Sequence, residues 1–200
     1  PTFAILQIRP FVVSTEQLDI GWDSKIAKKQ IFIRSDRALG NGLIHTIQDI
    51  VYVPSDRFDS SKTVEIAEEI GVINKTLVAS ASPYLLMGPG RWGTQDRWLG
   101  IPVRWAQISG ARVMIETALE NFNIKPSQGT HFFQNMISHG IGYIDIPLDS
   151  ESCFIDCSWL EKQRVAKKMK YVDHVHLSAP LHVKLNGRSG HAIILKPGKI

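Results

Sequence analysis

The segment Gly88-Pro89-Gly90-Arg91-Trp92-Gly93-Thr94-Gln95-Asp96-Arg97-Trp98 sets two Arg-Trp pairs behind a glycine-rich bend. Glycine lets backbone N–H groups come close to an anion, an approach that a Cβ would block. Arginine adds paired N–H donors that fit phosphate or carboxylate. Gly88, Gly90, Arg91 and Arg97 are therefore candidates for anion binding. Trp92 and Trp98 could stack on a base or shield the site. The loop has no Gly-Lys-Ser/Thr and no dinucleotide fingerprint. The same residues also suit a rigid loop, with the tryptophans as core plugs and the arginines paired to Asp96 and Glu116.

A second polar cluster runs from Pro126 to Asn135 and places Gln128, Thr130, His131, Gln134 and Asn135 around a helix start. Gln128 and Thr130 could bind an anion there. His131 titrates near neutral pH and is the candidate for acid–base work. The structural alternative is an N-cap network anchored by Phe132 and Phe133. A third stretch, Gly187 to Ile194, holds His191 in a glycine-rich Ser-Gly-His-Ala setting. The following Ala-Ile-Ile-Leu reads as β, so a hairpin is expected rather than a reactive histidine opening a helix. Lys162, Arg164, Lys167, Lys168 and Lys170 form a basic segment. It reads as the solvated face of a helix, with contact to a partner as the functional alternative.

Positioning these residues takes both kinds of element. Short strands are expected at 4–8, 30–34, 46–53, 84–87 and 143–146. An amphipathic helix is expected at 62–73, with Ile66, Ala67, Ile70 and Ile73 on one face. The apolar run 111–119 reads as a strand through alternation of Val113, Ile115 and Thr117 with Met114 and Glu116. Helices are expected at 131–138 and, from the Ser158-Trp159-Leu160-Glu161 capping box, at 158–170. A strand at 172–177 and a hairpin from 181–185 and 191–195 close the chain. The fold class is α/β or α+β: a mixed sheet with flanking helices and a C-terminal β-hairpin.

The chain has 200 residues, 44% of them hydrophobic, which is enough for a real core. Its net charge of +4 and pI near 9.1 fall short of a dedicated nucleic-acid binder, and nucleic acid is not an expected partner. A small anionic metabolite fits that balance. Cys153 and Cys157 are too few for a disulfide scaffold and have no companions for a metal site. They read as reduced thiols. No apolar run approaches the ~20 residues needed to cross a bilayer, and no signal peptide is visible, so a cytoplasmic protein is expected. The chain starts at Pro1 and enters a strand-like run at once, which suggests a piece of a longer protein.

Leu6-Gln7-Ile8-Arg9-Pro10 resembles the Gln-x-Arg-Pro signature closing the ATP-grasp domain of phosphoenolpyruvate synthases and pyruvate phosphate dikinases. The stretches Arg37–Gly42, Asp49–Tyr52, Gly88–Gly93 and Ser127–Asn135 resemble the C-terminal region of a bacterial subgroup of that family. The resemblance covers most of residues 1–146. It implies that Gln7 and Arg9 help bind ATP and its Mg in the parent protein, with no cofactor expected on this chain alone. It also implies that residues 1–29 are the last strand of an upstream ATP-grasp domain plus a linker, and that this domain is the chief partner. Residues 30–200 are then a C-terminal α/β domain, with a swivel-like part at 30–80. The chain is too short for the family's TIM barrel, which takes about 250 residues, and lacks a convincing phosphohistidine motif. The expected function is an accessory domain of an ATP-dependent phosphotransferase, inactive when isolated. The alternatives are an anion- or nucleotide-binding regulatory module and a structural homo-oligomerisation domain.

Overall fold

The computed structural model describes residues 26–96, 98–122, 124 and 131–198. In chain order the strands begin with β1 (Ile31–Ser35), β2 (Ala38–Leu39), β3 (Asn41–Ile44) and β4 (Asp49–Tyr52). Helix α1 (Thr63–Ala79) leads to β5 (Tyr84–Pro89), the short pair β6 (Arg91–Trp92) and β7 (Gly100–Ile101), and β8 (Ala111–Thr117). Helix α2 (His131–Ser138) precedes β9 (Gly142–Ile146) and β10 (Phe154–Ile155). After the single-turn α3 (Cys157–Leu160) come β11 (Val165–Lys168), β12 (Asp173–His176), β13 (His182–Asn186) and β14 (His191–Leu195).

The fold is mixed α and β, with two stacked sheets, α1 and α2 on one outer face and the short α3 packed against the layer between the sheets. The larger sheet runs β11-β12-β4-β5-β8-β9-β2. Four adjacent strands, β4, β5, β8 and β9, are parallel and lie side by side in chain order, with β6 and β7 in the connection between β5 and β8, while β11, β12 and β2 join antiparallel. The second sheet, β10-β1-β14-β13-β3, is antiparallel and contains the C-terminal hairpin β13–β14.

Side-chain alternation assigns the two faces of the larger sheet. Ile50, Tyr52, Leu85, Met87, Val113, Ile115, Ile144 and Ile146 face the second sheet and pack on Ile33, Val183, Leu185 and Ile194. Val51, Val53, Leu86, Met114 and Tyr143 face the other way, onto Ile66, Ile70, Ile73 and Leu77 of α1 and Met136 of α2. Parallel strands buried on both faces read as continuous apolar runs, which is why Leu85-Leu86-Met87 shows no polar position. Elements from 31–79 contribute to both cores alongside strands from 84–195.

Helix α1 runs to Ala79, beyond the expected end at 73, because Leu77 adds another turn to its buried face. The expected helix at 158–170 stops after one turn. From Val165 the basic segment is strand β11, paired to β12. Pairing with a neighbouring edge outweighs the helical propensity of Lys and Arg, and the solvated character of the segment is met equally well by an exposed strand. The expected strand at 46–53 is confined to 49–52.

Leu86→Ala is expected to cost about 2–5 kcal/mol, because Leu86 is fully buried between the sheet and α1. Urea unfolding of both forms checks it; a loss under about 1 kcal/mol would contradict the assigned packing.

Candidate functional site

The glycine-rich segment leaves the C-terminal end of β5, the edge of parallel strands where open α/β sheets hold ligands. Its backbone amides, however, are used within the fold. Gly90 donates to the Thr117 carbonyl at 3.0 Å, Arg91 to Leu99 at 3.0 Å and Gly93 to Ile101 at 2.9 Å. The Trp92 amide donates to Oε1 of Glu116 at 3.0 Å. The segment is a closed strap, and an anion would have to displace these bonds to reach the amides.

The glycines have a packing reason instead. A Cβ on Gly88 would lie 2.9 Å from the Trp92 indole, and one on Gly90 would lie 2.4 Å from the Phe122 ring and 2.9 Å from the Leu99 carbonyl oxygen. Gly90 also has φ +72°, a conformation that favours glycine. Trp92 is buried and donates its indole N–H to the Ile115 carbonyl at 3.0 Å, so it is a core plug. Trp98, by contrast, is 58% exposed. Arg91 is half-buried beside the strap.

Arg97, Gln128 and Thr130 lie outside the described residues, as do Gln7 and Arg9. His131 opens α2 as expected from the sequence. Its side chain, too, lies outside what is described. His191 opens strand β14 and not a helix. Both cysteines are free thiols, Cys153 buried and Cys157 exposed.

Sequence reasoning named Glu116 only as a partner for the loop arginines and did not single out Asp145; the fold brings the two carboxylates together at this edge. Glu116 and Asp145 are cross-strand neighbours on β8 and β9, and both are buried. Both share the helix-side face with Met114 and Tyr143. Glu116 Oε2 accepts the Tyr143 hydroxyl at 2.6 Å, so each of its oxygens is engaged. Asp145 Oδ2 lies 3.5 Å from Nη1 of Arg37, within ionic attraction, and has no hydrogen-bond partner among the described residues. Burial pushes the Asp145 carboxyl up to about 6, the Glu116 carboxylate pushes in the same direction, and the Arg37 guanidinium opposes both. The outcome is a carboxyl that exchanges its proton close to neutrality, beside a half-exposed arginine. The available signal was a single acid inside an apolar strand, in Val-Met-Ile-Glu-Thr and Tyr-Ile-Asp-Ile, since buried acids need partners.

Among the described residues, no group of three or more His, Cys, Asp or Glu is arranged to hold a metal ion, and no helix is long and apolar enough to cross a membrane. No family model, curated protein or solved structure matches this chain.

The raised Asp145 fixes the sign of one pH effect. The folded state holds this proton more tightly than the unfolded chain, so stability falls as pH rises from about 4 to about 6 and then levels off. The loss is on the order of 2–3 kcal/mol. Asp145→Asn is expected to remove this component, seen as the difference between urea midpoints of the two proteins across that range. Parallel pH curves for the two would contradict it.

Proposed function

We propose that this chain is the C-terminal accessory domain of an ATP-dependent phosphotransferase of pyruvate/phosphoenolpyruvate metabolism, working in the cytoplasm and without catalysis of its own. The observation that carries the reading is the joint presence of Gln7-Ile8-Arg9-Pro10 and the similar stretches between Arg37 and Asn135. The geometry supports the accessory role. The strap after β5 spends its amides internally, so its backbone is not preorganised to cradle a nucleotide. In the parent protein, ATP and Mg would lie with the upstream domain, where Gln7 and Arg9 would contribute.

A small-anion regulatory site is the second reading. It is favoured by the placement of half-buried Arg91 and half-exposed Arg37 at or near the C-terminal edge of the parallel strands. There the guanidinium groups would take a phosphate or carboxylate, and Asp145 would tie binding to proton exchange.

The test compares the full-length natural protein with this 200-residue chain, using isotope-labelled ATP and pyruvate. Labelled phosphoryl transfer to product by the full-length protein, and none above background by the chain alone, is expected. Turnover by the isolated chain, or a full-length protein that transfers no phosphate, would refute the reading.

A further inference from the structure

A second polar centre lies at the other end of β4, away from the strand-end carboxylates. His174 and His176 flank the buried Val175 on β12, and Val175 faces the second sheet, so both imidazoles stand on the helix-side face. On the adjacent strand β4, Asp49 is 4% exposed, and its Oδ1 meets Nε2 of His174 at 2.7 Å and Nδ1 of His176 at 2.9 Å. Burial raises the Asp49 carboxyl, but the hydrogen bonds from the two imidazoles outweigh it and hold the group below the usual carboxylate range. An ionised carboxylate only accepts, so each imidazole turns an N–H toward Asp49. That orientation directs Nε2 of His176, on a side chain 55% exposed, away from the carboxylate.

The neighbouring edge strand opens beside these rings. Val165 opposes Val175 and Lys167 opposes His174, so Ala166 is an extra residue and β11 is bulged there. Bulges at sheet edges re-aim side chains. Here the bulge accompanies a groove of about 340 Å³ lined by Arg164, Ala166, His174 and His176. Lys162, Lys167, Lys168 and Lys170 lie on the same segment, and β11 is exposed along its length. Lys167, opposite His174, shares its face and adds positive charge beside the groove.

We propose that this groove is a binding site for the phosphate group of a small phosphorylated molecule. Arg164 supplies the planar pair of N–H donors that matches two phosphate oxygens. In its imidazolium form His176 supplies a third donor, Nε2–H, and the Nδ1 hydrogen bond to the buried Asp49 fixes the ring. A phosphate dianion uses the guanidinium and the imidazolium together, whereas a carboxylate is matched by the guanidinium alone. A groove of about 340 Å³ lies within the size range of small-molecule sites. The site stands independently of the phosphotransferase reading, since it uses none of the residues that carry it.

Ring-carbon NMR of the histidines tests this at fixed pH and ionic strength, with inorganic phosphate as the probe and acetate as the control. Phosphate is expected to move the His174 and His176 signals saturably in the millimolar range and to leave His139 and His191 in place. Acetate is expected to move none of them. Arg164→Gln, at an exposed position, is expected to keep the melting temperature and weaken phosphate binding about tenfold. His176→Gln should weaken it as well. Rings that do not respond to phosphate, an equal response to acetate, or unchanged affinity in Arg164→Gln would overturn the site. A response to a single-stranded oligonucleotide without one to phosphate would overturn the small-molecule assignment.

Discussion

The Glu116 carboxylate, at the C-terminal end of β8, is 3% exposed and accepts the Trp92 amide on one oxygen and the Tyr143 hydroxyl on the other. Those two bonds join the strap after β5 to strands β8 and β9. A charge so buried survives only when its oxygens are engaged, because an unpaired carboxylate would cost several kcal/mol. The Trp92 amide meets that requirement from the strap, which its own backbone bonds to Thr117, Leu99 and Ile101 hold in place.

The same charge acts on the next strand. Asp145 faces Glu116 across the β8–β9 pair, and two carboxylates in one low-dielectric layer cannot both ionise freely. Burial first, and the Glu116 charge after it, make Asp145 keep its proton to higher pH, and Arg37 reaches toward it from the surface. At the far side of the sheet the physics runs the other way. Asp49 is also buried, but two imidazoles donate to it and it stays ionised. One sheet thus holds a proton-retaining acid at one end and a histidine-stabilised carboxylate at the other.

Much of the fold was legible in the sequence where a pattern is local. The face of α1 formed by Ile66, Ala67, Ile70 and Ile73, the alternation through Val113 and Ile115, and the hairpin around Asn186-Gly187 all lie within a few residues of one another. What was not legible depends on which strands become neighbours. Asp49 meets His174 and His176 only because β12 pairs with β4, and Glu116 meets Asp145 only through the β8–β9 register. The basic segment reads as a helix face in the sequence, and the partner that makes it an edge strand, β12, is not visible there. The two Arg-Trp pairs suggested an anion rim. The hydrogen bonding of the strap was not readable, because its acceptors at Thr117 and Ile101 and on Glu116 are set by chain crossings.

The central claim is that Glu116 binds the strap and β9 together as one unit. A double-mutant cycle with Glu116→Gln and Tyr143→Phe, read by urea unfolding, tests it most directly. A coupling of about 1–3 kcal/mol between the two positions is expected for a buried, charge-assisted hydrogen bond. Additive effects, with coupling near zero, would contradict it.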